Sequence, residues 1–356
     1  MNVNEKVKHS FESISDSFLQ VNGALGFIAM PNIATILRFA LSYTIILGLT
    51  LLWAGCGEEK GHVVVFEDQT VKRIVNETLG YPLDHRLKEP ELQELRYLRL
   101  LEVPVSNLVG LERAKNLERL QVSWVEVEHP DYILNTVKQL DSLSFLELRG
   151  IGISEVSWSS ALPNLRELNL SDNQVEDVSG LVSMSGLEVL MLGGNRIKDV
   201  SPLSGLNKIR ILLLGGNNVE DIEHISGLIT LRRLGLNSNR VSNIEPLSEL
   251  RGLRRLFLGN NEIEDLVPIT NLENLTELLL FSNRIRNLDG IANLERLETL
   301  DLSRNEIERI EPLLELDRIR KLDISENGLS LDDESVDMQV IRELKGRGVE
   351  VQYKPQ

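Results

Sequence analysis

The sequence predicts an α/β repeat solenoid. Short parallel strands stack coil on coil into one curved sheet, with turns and 3-10 pieces on the convex side and a helical cap at each end. Three observations predict it. Asn173, Asn195, Asn217, Asn239, Asn261, Asn283, Asn305 and Asn327 follow one another at intervals of 22 residues, and a fixed period of this length marks a stacked array. Before each lies one frame, LxxLxLxxN, running from Leu165-Leu168-Leu170 to Ile319-Leu322-Ile324; its alternation suits a short strand with one buried face. After each Asn, apolar residues recur at steps of three, as Ile197, Val200, Leu203 and Leu206, then Val219, Ile222, Ile225 and Leu228. Such steps suit tight turns and 3-10 pieces rather than α-helix. Each coil thus sends about seven aliphatic side chains inward, and a chain with 42% hydrophobic but only 4% aromatic residues can still build a core.

The first 55 residues read differently. Lys6, Lys8 and Arg38 balance Glu5, Glu12 and Asp16, so the whole net charge of −16 falls on the rest of the chain. From Phe39 to Gly55 run seventeen uncharged residues. That is short for a membrane span of about 20 residues and slightly long for a signal-peptide core of about 7–15. Trp53-Ala54-Gly55-Cys56 resembles the cleavage motif of bacterial lipoproteins, with Trp53 where Leu is usual. Cys56 is the single cysteine, it ends the apolar run, and Gly57-Glu58-Glu59-Lys60-Gly61 follows as a polar tether. The resemblance implies cleavage before Cys56 and a lipid on its thiol, and two acyl chains on one residue give stable anchoring. Gly57, rather than Asp, after the cysteine resembles the outer-membrane sorting class. Met30 opens a stretch of signal-like length, and residues 1–29 read as an over-extended gene start or an unusual extension.

Residues 62–94 are the expected N-terminal cap. Asp68 would cap a helix that buries Val71, Ile74, Val75 and Leu79 and stops at Gly80. The repeats occupy 95–331, about eleven coils, because three coils without the Asn precede the regular eight: Leu95-Leu98-Leu100, Leu117-Leu120-Val122 and Leu143-Leu146-Leu148. Four extra residues near Asp131–Gln139 belong on the convex side. Residues 332–356 form the second cap, a helix near Glu334–Lys345 burying Val336, Val340, Ile341 and Leu344, then a last strand over Val349–Tyr353.

With these elements in place, residues 62–356 resemble bacterial leucine-rich repeat proteins of the internalin-like kind. The resemblance implies a horseshoe whose concave parallel sheet binds proteins. No Ig-like domain or wall-attachment tail follows the repeats, so the invasion role of some members is not expected here.

The Asn ladder reads as structural, each carboxamide bonding backbone at a bend. Pro202, Pro246, Pro268 and Pro312 fix turns. Acidic residues after each Asn, such as Glu176, Asp177, Asp199 and Asp221, read as a solvated face. Binding information belongs to the outward strand positions. In the middle of the array Val189, Met191, Ile211, Leu213, Phe257, Leu279 and Phe281 are apolar where solvent favours polar residues. Glycines beside them are expected to open the surface, and Arg232, Arg233, Arg254 and Arg255 to border it, a combination suited to a protein hot spot. The alternative is that these side chains pack across rungs and stiffen the sheet.

The acidic balance argues against nucleic-acid partners. One cysteine and five scattered histidines, His9, His62, His85, His129 and His224, offer no metal spacing. No nucleophile elbow, P-loop or HExxH appears, so no enzyme, cofactor or small-molecule substrate is expected. The expected function is protein or peptide binding by an exported, membrane-anchored lipoprotein of the cell envelope. The rivals are a cytosolic regulatory scaffold, resembling a eukaryotic phosphatase regulator with similar repeats, and an adhesin or polysaccharide binder. The protein made in a bacterium is expected to have an intact mass that begins at Cys56 and includes acyl chains. A Cys56→Ala chain should keep its leader. A wild-type mass starting at Met1 or Met30 contradicts the lipoprotein reading.

Overall fold

A computed structural model describes residues 61–353; the leader and Cys56 lie outside the described residues. Each ladder coil spends its aliphatic residues as the periodicity requires. In the coil around Asn217, Ile209, Leu212, Leu214, Val219, Ile222, Ile225 and Leu228 are all buried to within 1%. Each such side chain contributes about 1.5–3 kcal/mol over remaining in water. Identical frames stack identically, so the strands take a constant register of 22 residues, with Leu168, Leu190, Leu212, Leu234, Leu256, Leu278, Leu300 and Leu322 in one line.

The result is a twelve-stranded parallel sheet in chain order. Its strands are β1 (Tyr97–Leu101), β2 (Arg119–Ser123), β3 (Phe145–Arg149), β4 (Glu167–Asn169), β5 (Val189–Met191) and β6 (Ile211–Leu213), then β7 (Arg233–Gly235), β8 (Arg255–Phe257), β9 (Glu277–Leu279), β10 (Thr299–Asp301), β11 (Lys321–Asp323) and β12 (Glu350–Gln352). Short 3-10 pieces such as Ser201–Gly205 return the chain on the convex side. Their starts are braced by residues read from sequence as merely solvated. Asp177, Asp199, Asp221 and Asp265 each accept the backbone N–H two residues on. The bond from Ser201 holds the Asp199 carboxyl below its usual range.

At every bend the ladder Asn joins three backbone groups. Asn217 Nδ2 donates to Leu192 O (2.9 Å) in the previous coil and to Leu214 O (2.8 Å) in its own, while its Oδ1 accepts from Ile197 N (3.0 Å). The residue before each Asn lies in the left-handed region: Asp172, Gly194, Gly216, Ser238, Asn260, Ser282, Arg304 and Glu326. Glu102, Trp124 and Gly150 repeat that conformation in the three coils that lack the Asn.

The caps follow from local chemistry. Helix α1 (Gln69–Leu79) starts at Asp68, whose Oδ1 accepts from Thr70 N and Val71 N, and ends at Gly80 with φ 79°. The same carboxylate reaches the first coil, where its Oδ2 accepts from Ser106 N (2.6 Å) and Ser106 Oγ (2.8 Å). Burial pushes this carboxyl up, but the bonds from Ser106, Val71 and Thr70 outweigh it and hold it below its usual value. A short α2 (Glu89–Leu92) follows. The insertion forms α3 (Asp131–Val137), a helix that spacing alone did not suggest, burying Ile133, Leu134 and Val137. Helix α4 (Val336–Gly346) buries Val340, Ile341 and Leu344. Val336 corrects the expectation: it is 55% exposed, because Ser335 is the cap and the first-turn valine points away from the core. Asp337 is buried instead and accepts from Ser330 N.

Asn217→Ala leaves Leu192 O, Leu214 O and Ile197 N without the carboxamide. It is expected to lower unfolding free energy by about 2–5 kcal/mol. Asn207→Ala, in an exposed turn, should change it by less than about 0.5 kcal/mol. Urea unfolding of both variants checks the ladder's role, and equal losses contradict it.

Candidate binding face

Alternate residues of each strand point away from the core, and constant register gathers them into files across the sheet. One file runs Val189, Ile211, Arg233, Arg255, Glu277. The next runs Met191, Leu213, Gly235, Phe257, Leu279. A third, two residues past each strand, contains Gly193, Gly215, Asn237, Gly259 and Phe281. The seven apolar residues singled out by sequence, with Arg233 and Arg255, therefore fall on one face spanning β5 to β9.

Sequence suggested that glycines open that face; Gly193 and Gly215 leave an added Cβ no side-chain atom nearer than 3.9 Å, but Gly235 and Gly259 do not open it. An added Cβ at Gly235 would sit 3.0 Å from Leu213 Cδ2 and 3.8 Å from the Phe257 ring, and one at Gly259 would overlap the Phe281 ring. Neighbouring rungs lean into the gaps instead. Phe257 retains only 8% exposure, and Arg233, stacked over its ring at 4.9 Å, retains 9%. These two belong to the packing of the face. Val189, Met191, Ile211, Leu213, Arg255, Leu279 and Phe281 are half-buried, packed sideways with one side toward solvent. Asn237 stiffens the third file by accepting from Gly259 N (2.7 Å). Arg255 Nε lies 3.4 Å from Glu277 Oε2, while Arg232 and Arg254 are exposed at the strand entrances.

The two ends of the sheet are polar. Toward the C-terminus, Asp301 and Asp323 each accept from a serine two residues on, Ser303 and Ser325. Burial raises the Asp301 carboxyl, opposed by Ser303 and reinforced by Asp323. Toward the N-terminus, Glu147 accepts from Gln121, Ser123 and Asn169, Arg119 stacks over Phe145 at 4.0 Å, and Arg149 bonds Asp172 at 2.6 Å. Trp124, 48% exposed over Gly150, was not found by sequence reasoning. Its signal was its place before the position where later coils carry Asn. Among the described residues no three His, Cys, Asp or Glu side chains converge as metal ligands do, and no helix is long and apolar enough to cross a membrane.

Comparison with known proteins agrees with this architecture. A family model of paired leucine-rich repeats matches residues 141–183, 229–274 and 273–315, and a second leucine-rich repeat model matches 163–219. An internalin of Listeria monocytogenes superposes with a TM-score of 0.70 at 24% identity, covering 81% of this chain and 88% of that one. A second Listeria monocytogenes protein, internalin C2, gives 0.52 at 25% identity over 67% of this chain and 95% of its own. The ectodomain of a plant receptor kinase from Arabidopsis thaliana, in complex with Casparian strip integrity factor 2, gives 0.57 at 23% identity, covering 67% of this chain and 31% of that one. No curated protein sequence matches.

Because the Phe281 ring fills the space above Gly259, Gly259→Ala is expected to cost about 1–3 kcal/mol. Gly227→Ala, where an added Cβ meets nothing within 4 Å, should stay within about 0.5 kcal/mol of wild type. Thermal unfolding separates the two. A Gly259→Ala protein as stable as wild type means that the ring does not occupy that gap.

Proposed function

We propose that this chain, a leucine-rich repeat protein with internalin-like coils, is a non-enzymatic module that binds a protein or peptide through its concave sheet. In this proposal a lipid on Cys56 holds it outside the cytoplasm, in the cell envelope. The observation that carries the binding reading is the cluster of half-buried apolar side chains on the sheet, Val189, Met191, Ile211 and Leu213 on β5 and β6 and Leu279 and Phe281 at β9, with arginines on the rungs between. A partner laid on that face removes the remaining apolar surface from water at about 25 cal/mol per Å². The interlocked Leu213, Phe257 and Phe281 reduce the side-chain ordering that binding would otherwise demand. The plant receptor ectodomain, crystallised in complex with Casparian strip integrity factor 2, is consistent with such a use of the fold. The lipid tether rests on the sequence around Cys56 alone.

A photo-crosslinking residue placed at Met191 tests the reading against one at Ile229, which is 67% exposed outside the strands. In cells, partner adducts are expected from Met191 and not from Ile229. Adducts from Ile229 alone contradict binding through the concave face.

A further inference from the structure

One edge of the binding face carries a concentration of positive charge. Arg210, Arg232 and Arg254 stand immediately before β6, β7 and β8 on three successive coils, and Arg233 and Arg255 follow on β7 and β8. The coils on either side place Glu188 and Thr276 at the entrance position. Five arginines on adjacent rungs are unusual in a chain of net charge −16. Little on the molecule neutralises the outer row. Arg210 lies 3.9 Å from Glu188, which Arg166 shares at 3.4 Å. No carboxylate among the described residues pairs with Arg232 or Arg254. Arg232 folds over Gly252, where any side chain would overlap its guanidinium, and donates to Leu231 O at 2.9 Å. That bond engages a neutral carbonyl and leaves the cation uncompensated.

We infer that this arginine ridge is the docking edge for an acidic, extended peptide segment of the partner, with carboxylates at alternate positions and apolar residues between them. The inference rests on the concave-face reading. Its spacing argument is simple. Three rungs about 4.8 Å apart spread the ridge over about 10 Å, and an extended chain repeats its same-side residues about every 6.6–7 Å. Two or three alternate carboxylates therefore match the ridge within the reach of arginine side chains. Alternate residues of an extended chain point opposite ways, so the intervening apolar side chains turn across the sheet toward Ile211, Leu213 and Leu279. Arginine forks suit carboxylates bidentately. A long polyanion such as nucleic acid is disfavoured, because beyond three coils it meets a body of its own sign.

The test uses the full chain and a fluorescent ten-residue peptide alternating Glu and Leu, compared by anisotropy with Gln-Leu and Lys-Leu analogues. The Glu-Leu peptide should bind about tenfold or more tighter than either analogue, and weaken as salt rises. Arg232→Glu with Arg254→Glu should remove at least that factor, Arg232→Gln with Arg254→Gln most of it, and Arg309→Glu with Arg318→Glu none. Equal binding of Glu-Leu and Gln-Leu peptides, or indifference to the ridge variants, overturns the inference. So does failure of all three peptides to bind, or ridge-dependent binding of a single-stranded DNA decamer more tightly than the Glu-Leu peptide. The concave-face reading is judged separately, by the Met191 crosslink. That crosslink persisting in the Arg232→Glu, Arg254→Glu protein while the Glu-Leu preference is absent removes the acidic partner and leaves concave binding in place.

Discussion

The array depends on how the backbone turns out of each strand. A bend repeated every 22 residues carries carbonyl and amide groups into the interior, where each unpaired one costs about 1–3 kcal/mol. The carboxamide of the ladder asparagine answers all three at once, two by donation and one by acceptance, as Asn217 does with Leu192, Leu214 and Ile197. A left-handed residue stands before it, and in Asp172, Ser238, Asn260, Ser282, Arg304 and Glu326 that conformation is held without glycine, at about 1–3 kcal/mol each. The bend is therefore over-determined by its surroundings. Register, the files on the concave face and the row of arginines all follow from its constant pitch.

The first three coils solve the same problem another way. Val103, Val125 and Ile151 stand where later coils have Asn, so these coils supply no carboxamide at that position. Their strands, β1, β2 and β3, run five residues instead of the three found in β4 to β11, although the last bond between rungs comes from the residue before the bend in both kinds of coil, as Glu102 N to Ser123 O and Asp172 N to Gly193 O. The ladder begins at Asn173, which reaches back to Ile151 N and Ile153 N. The N-terminal cap is tied to this less regular end through Asp68, one carboxylate serving both the helix start and Ser106.

Most of this was legible in the residues because repetition converts weak local signals into strong ones. The aliphatic frame, the strand order and the start and stop of α1 could all be read from spacing. What could not be read required knowing which neighbour a side chain leans on. Gly259 has no side chain and reads as an opening, but the Phe281 ring from the next rung covers it. Phe257 and Arg233 read as exposed hot-spot residues, yet each shields the other. Asn76 is fully buried because the chain after α1 folds back and brings Leu83 O and His85 O to its Nδ2, a return that periodicity cannot show. The residues picked from sequence lie on the sheet, but their relief could not be read: Gly235 and Gly259 are covered by neighbouring rungs, and Arg233 and Phe257 are withdrawn into the packing.

Native-state hydrogen exchange tests the central claim most directly, because the ladder makes a statement about particular amides. The N–H groups of Val175, Ile197, Val219, Val241, Ile263, Ile285 and Ile307 are each held by a carboxamide from the following coil. They are expected in the slowest exchange class, opening only when neighbouring coils unfold together. Exchange of these amides at the rate of exposed turns would contradict the account, since the bends would then be held by something other than the asparagines.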